Sequence, residues 1–225
     1  AQPYLAAALF ALVPVPAPGY GTFGVDRWWR VYVDLDRARE WGVAATAAVL
    51  VHEAHHVLRD HHDRAARLDV DDHHLWNLAA DAAINDDLVA DGLPLPSPVL
   101  PRSLDLEPHG LEEAYYRALV ARRATSDASC GSGAGGPALP VELPVDPDDG
   151  VAPGVDEVDA AAVRRAVAHD VAAAADRGEV VSPGLARWAR DLLAPQVPWT
   201  RLLRTAVGRP LRGATRGHPD WTRPD

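Results

Sequence analysis

The run "VLVHEAHHVLRDHH" starting at Val49 sets His52, Glu53 and His56 in the order H-E-x-x-H, the arrangement used by zinc hydrolases. Residues four apart on a helix share a face, with Cβ atoms about 5–6 Å apart. His52 and His56 can therefore meet on one zinc ion through ring nitrogens at about 2.0–2.1 Å. Glu53 falls on the rim of that face, beside the pair. A catalytic zinc keeps one position open for water and lowers its pKa towards about 7. Glu53 is read as the general base that takes the proton during attack on a carbonyl and passes it to the leaving amine. His55 offers a competing register, but only His52 and His56 have the correct spacing around a glutamate.

Two imidazoles do not complete such a site. Asn77, Asp81 and Asn85 recur every four residues, a polar stripe inside the apolar pattern of Leu75, Leu78, Ala79, Ala82, Ala83 and Leu88. A carboxylate buried there is costly unless something positive meets it, and a zinc ion is such a partner. The 25 positions from His56 to Asp81 leave room for one helix to end and a second to cross it. Asp81 is the third ligand this reading favours, with His73, His74, Asp86 and Asp87 as alternatives. Asn85 and Asp60 are expected to hydrogen-bond the ligand imidazoles. His61 and His62 are expected to be exposed and, with His55, to form an adventitious second site; Asp86 and Asp87 are expected to face solvent. Cys130, in a glycine-rich setting, can swing its thiolate onto the open zinc position and hold the site latent.

These residues need elements to position them. "GTFGVDRWWRVYVDL" alternates Val25, Trp29, Val31 and Val33 against polar neighbours, which predicts a strand or hairpin. From about residue 40 to 68 the spacing turns helical, with Val43, Ala47, Leu50, Ala54, Val57 and Leu58 as an apolar stripe. Acidic "DVDD" supplies caps for a second helix, "HHLWNLAADAAINDDLVADG", which Gly92 and the following prolines end. Further helices are expected at the N-terminus, ended by Pro14 and Pro16, and in "LEEAYYRALVARR", "VDAAAVRRAVAHDVAAAADRG", "SPGLARWARDLLAP" and "VPWTRLLRTAV". Residues 125–154, rich in Gly, Pro and acids, read as a long flexible loop. The fold class is α+β, predominantly α-helical, with a small β-sheet: one domain over 1–208, then a tail or linker over 209–225.

With 225 residues, 48% hydrophobic and 24% charged, the composition suits one soluble globular domain, and no run approaches the roughly 18 apolar residues of a membrane span. A net charge of -10 argues against duplex nucleic acid as a partner. The single cysteine excludes an internal disulfide framework and fits a reducing, cytoplasmic compartment. "YLAAALFALVPVPAPG" lacks the basic start of an export signal.

Together, "VLVHEAHHVLRDHH", "LWNLAADAAIND", the "CGSGAGG" loop and "VPWTRLLR…DWTRPD" resemble the bacterial metallopeptidase-like domain that precedes a von Willebrand factor A-like domain. The resemblance spans nearly the whole chain, and the two helices are its most specific parts. It implies a zincin-like fold with His52, His56 and Asp81 on one Zn2+ per chain and Glu53 as base. It also implies a von Willebrand factor A-like domain after Asp225 and an AAA+ ATPase partner. A zincin needs an edge strand to pair with an extended peptide, and "WWRVYVDL" is the candidate, with Trp28 or Trp29 lining a pocket. Tyr115, Tyr116 and His109 are candidates to polarise the carbonyl. The expected function is a zinc metallopeptidase acting on peptide or protein. The alternative is a zinc-stabilised scaffold of little activity, working with the two implied partners.

Overall fold

The computed structural model describes residues 2–126, 130–144 and 153–194. The expected helix "VPWTRLLRTAV" and the tail 209–225 lie outside the described residues.

Two helices cross to form the centre of the fold. The first, α2 (Leu35–Leu58), is capped by Asp34, whose carboxylate accepts from the backbone of Asp36 and Arg37. It is interrupted at Gly42, where φ is 75° and ψ is 173°. The expected apolar stripe is covered only in its second half. Val43 is 89% exposed, whereas Ala54, Val57 and Leu58 lie in the core. The helix also ends earlier than its periodicity predicts. Arg59 closes it and Asp60 turns left-handed (φ 57°), so the chain bends into a separate α3 (His61–Arg67). That bend turns His61 inward. Aspartate is among the few non-glycine residues that tolerate this conformation.

The second central helix, α4 (His73–Ala90), begins as predicted, with the Asp72 carboxylate accepting from Leu75 N. It is buried along nearly its whole length, from Leu75 to Leu88. Around this pair pack α1 (Ala6–Ala11), α5 (Glu112–Ala121), α6 (Glu157–Asp176) and α7 (Pro183–Leu193). The main core joins Leu5 and Ala8 of the N-terminus to Leu58, Ile84, Leu88, Val167, Val171 and Leu185. A second cluster holds α5 on α4 through Leu78, Ala82, Tyr115 and Leu119.

The sheet has three strands, β1 (Val13–Pro16), β2 (Phe23–Val25) and β3 (Arg30–Val33), in the order β1-β3-β2. β1 runs parallel to β3 and β2 antiparallel to it. Pro14 and Pro16 therefore do more than end the first helix: they lie in an edge strand. Val13 and Ala17 donate to Trp29 O and Val33 O, and strand alternation turns Pro14 and Pro16, which have no N–H, to the open side. The expectation that "WWRVYVDL" forms a free edge is not met. β3 is the central strand, with both of its edges paired. Trp29, at φ 65° in the β2–β3 turn, is fully buried in the main core, whereas Trp28 lines a surface cavity with Arg27, Val57, Asp60 and Arg164.

The described part of the 125–154 segment is firmly tied. Ser132, Gly133 and Ala134 are buried. Ser132 N donates to Glu142 Oε1 (2.7 Å), Leu143 N to Tyr32 Oη (2.9 Å), and Arg30 Nη2 to Leu143 O (2.7 Å). Arg30 and Tyr32 are themselves fixed by the buried Asp26 carboxylate, at 2.5 and 2.9 Å. Among the described residues no helix is long and apolar enough to cross a membrane.

Candidate metal centre

α2 and α4 cross where His52 and His56 face Asp81. The nearest pairs are His56 Nε2 to Asp81 Oδ1 at 3.1 Å, His52 Nε2 to Asp81 Oδ1 at 3.5 Å, and the two Nε2 atoms at 3.1 Å. Cys130 supplies a fourth donor, with Sγ 3.8 Å from His52 Nε2 and 3.5 Å from Asp81 Oδ1. One donor atom from each of the four residues lies within 4.8 Å of the others. Tetrahedral bonds of about 2.0–2.1 Å to N or O and about 2.3 Å to S give donor-to-donor edges of roughly 3.3–3.6 Å. Five of the six separations, from 3.1 to 3.8 Å, bracket those edges, and the sixth lies within 4.8 Å, so two imidazoles, a carboxylate and a thiol could hold one metal ion.

The ring orientations support the same conclusion. Asn85 Nδ2 donates to Val99 O (3.0 Å), which turns Asn85 Oδ1 towards His52 Nδ1 at 2.9 Å. His52 must then carry its proton on Nδ1 and aim the Nε2 lone pair at the cluster. Bare lone pairs facing each other and a carboxylate repel unless a proton or a metal cation lies between them. Asn77 does the corresponding work for Asp81 and Cys130. Its Oδ1 accepts from Cys130 N (3.0 Å), and its Nδ2 donates to Asp81 Oδ2 (3.0 Å). The whole Asn77–Asp81–Asn85 stripe thus faces the site.

Protein charges already favour an ionised centre. Burial alone would push the Asp81 carboxyl up, but hydrogen bonds from His52 and His56 outweigh it and hold it far below the usual carboxylate range. His52 is raised in return, its bond to Asp81 overcoming the opposing effect of burial. The Cys130 thiol is pushed well up, by burial first and then by Asp81 and Glu53. A metal cation would reverse that balance and favour the thiolate.

Glu53 is 2% exposed, and its Oε2 has no hydrogen-bond partner among the described residues. Burial raises its pKa to about 8, opposed by His52 and assisted by Asp81. Leaving such an oxygen unpaired costs about 1–3 kcal/mol. Tyr20 stands on the same side. Its buried hydroxyl also lacks a partner among the described residues, and burial followed by the charges of Glu53, Cys130 and Glu142 raises its pKa well above the ordinary tyrosine value. Gly24 of β2 permits this approach, since a Cβ there would meet Tyr20 Oη at 2.7 Å and Cys130 O at 3.2 Å.

Cys130 reaches the site by pairing along the outer edge of β2, where Val25 N donates to Cys130 O (2.8 Å). Gly131 follows at φ 91°, and a Cβ on it would come 2.5 Å from Val25 O. Only glycine combines that conformation with that approach.

Several predicted residues lie elsewhere. Asp60 pairs with Arg164 (3.0 Å) and Arg67 (3.4 Å) and does not reach a ligand imidazole, because the chain turns left-handed at that residue. His61, expected at the surface, is fully buried against His56. His62 is half-buried, with Nδ1 2.9 Å from Ser132 O. His55 is fully buried with neither ring nitrogen partnered among the described residues, and it does not join the metal-ligating group. His73 and His74 are exposed at the start of α4. Asp87, expected to face solvent, is 2% exposed and held by Arg59 at 2.5 Å. Asp86 accepts from His109 N (2.7 Å) and lies 3.1 Å from His109 Nδ1. Tyr115 is engaged with Glu107 O and Gly110 N, and Tyr116 stacks edge-on with Trp76, so neither serves the cluster.

Tyr20, Asn77 and the His61–Glu112 pair escaped the sequence reading as partners of the site. Asn77 alone carried a signal, its place in the four-residue stripe; Tyr20 sits in a Gly/Pro-rich stretch without periodicity.

No curated protein and no solved structure matches the chain. Over residues 1–225 it matches the family described as "Putative metallopeptidase domain", a description with which the His, Asp and Cys cluster agrees, and the chain belongs to that family.

Proposed function

We propose that this domain is a zinc metallopeptidase held latent by its own Cys130. The observation that carries the reading is the buried Glu53 Oε2, without a partner among the described residues, beside a four-residue donor cluster whose fourth member arrives on a separate segment. Two imidazoles with one carboxylate and one thiol suit zinc, which when bound acidifies a water molecule and polarises a carbonyl. Glu53 takes the proton of the attacking water at Oε2 and delivers it to the leaving amine. Tyr20 Oη donates a hydrogen bond to the oxygen on which charge develops, replacing Tyr115, Tyr116 and His109 in that role. An extended peptide pairs along the outer edge of β2, where Val25 N–H now donates to Cys130 O. Withdrawal of Cys130 frees both that edge and the fourth side of the cluster.

The closed donor set also favours a second reading, a structural zinc site in a scaffold that works with a von Willebrand factor A-like domain and an AAA+ ATPase, since structural zinc sites are those with four protein ligands.

One comparison separates the two. Zinc-loaded wild type, Cys130→Ala and Cys130→Ala/Glu53→Gln are assayed on a quenched-fluorescence peptide library. The latent enzyme predicts little cleavage by wild type, a gain in Cys130→Ala, and its loss in the double variant with zinc still bound. A Cys130→Ala protein that retains zinc yet cleaves nothing overturns the peptidase reading. A scaffold site instead predicts that Cys130→Ala loses zinc affinity and thermal stability without gaining turnover.

A further inference from the structure

We propose that His61 and Glu112 form a positioning relay for His56, a chain of one imidazole and one carboxylate that fixes the ligand's tautomer and aims its Nε2 at the metal. The relay rests on the metal-binding part of the reading above and not on turnover. Five residues make it up: His56 of α2, Arg59 at its end, His61 and Arg64 of α3, and Glu112 of α5. His56 Nδ1 lies 3.0 Å from His61 Nδ1, and His61 Nε2 lies 3.3 Å from Glu112 Oε1. Arg59 Nη1 reaches the same Oε1 at 3.3 Å, and Arg64 Nη2 donates to Oε2 at 2.8 Å. His56 and His61 are fully buried, and Glu112 is 3% exposed.

The direction of each bond follows from the far end. Glu112, held by two guanidinium groups, can only accept. His61 must therefore carry its proton on Nε2, leaving a lone pair on Nδ1. That lone pair faces His56 Nδ1, so the His56 proton must sit there, and Nε2 is left free to ligate. Nε2 is the atom 3.1 Å from Asp81 Oδ1. The edge-on stacking of His61 between His56 and Trp76, with ring centroids 5.1 and 6.1 Å away, prevents the rotation that would exchange its nitrogens. His52 has a one-step support in Asn85; His56 has a two-step support that ends on α5. Partners of this kind commonly contribute about 10–100-fold to metal affinity.

Two measurements on the full chain test the relay. The first is long-range 1H–15N spectroscopy of the zinc-loaded wild type, where His56 is expected as the Nδ1–H form and His61 as the neutral Nε2–H form. A His61 that carries a proton on Nδ1 overturns the proposal whether or not any variant folds. The second is Zn2+ affinity by competition with a chromogenic chelator. His61→Phe keeps a flat, buried ring without an acceptor, and its affinity is expected to fall about 10–100-fold. His61→Asn, whose Oδ1 takes the place of Nδ1, is expected to recover most of that loss, which a purely space-filling role would not produce. A His61→Phe protein that binds Zn2+ as tightly as wild type also overturns the relay. Wild type that binds no Zn2+ overturns the metal reading itself, so the two failures are distinguishable.

Discussion

The chemistry depends on which atom of each side chain carries a proton, and neighbours set that atom by atom. Asn85 illustrates how little freedom remains: with Nδ2 on Val99 O, its Oδ1 can only accept from His52. Asn85→Ala removes that acceptor while leaving a small buried residue at its place on α4. Metal affinity should fall about 10–100-fold with the helical circular dichroism retained, as measured by chelator competition. Unchanged affinity would mean that His52 is oriented by packing alone. Glu53 differs in kind: its buried Oε2 has no hydrogen-bond partner among the described residues, a cost in stability that the proposed role as base would account for. Glu53→Gln should bind metal as wild type does.

The helices meet through charge as well as through apolar packing. Arg59, at the end of α2, joins Asp87 of α4 and Glu112 of α5. Asp87 also accepts from Gly184 N at the start of α7 (3.0 Å), tying a fourth helix to the same buried carboxylate. A Cβ at Gly184 would overlap the Asp87 carboxylate, so the close approach requires glycine. Gly184→Ala should destabilise the fold by about 1–3 kcal/mol, with a matching fall in the urea midpoint. Replacement without effect would show that α7 docks by its apolar face alone. These elements were mostly legible in the sequence. The α4 cap and stripe, α5 and α6 all follow their predicted spans, since periodicity and caps are local signals. The break at Arg59–Asp60 was not, because the residues there continue a helical pattern while long-range pairing of Arg59 and Asp60 bends the chain.

At the scale of the whole molecule, a metal held by the four-residue cluster would bridge α2, α4 and the Cys130 segment, parts that are distant in sequence. Chelation should therefore lower the melting temperature reversibly, and added Zn2+ should restore it in proportion to the logarithm of its free concentration, about 2.7 kcal/mol at 100 times Kd. A melting curve indifferent to chelator would place the metal outside the folding equilibrium. What the sequence by itself determined is the helical identity of α2 and α4, the shared face of His52 and His56, and the shared face of Asn77, Asp81 and Asn85, since each follows from a spacing of four on a regular helix. What only the tertiary structure decided is everything joined across gaps in the chain. Cys130 arrives beside Asp81 because backbone pairing with β2 places it there, β3 is central because β1 returns along its far side, and His61 is buried because a left-handed Asp60 turns it inward. No periodicity encodes such contacts, which exist only once separate segments have packed.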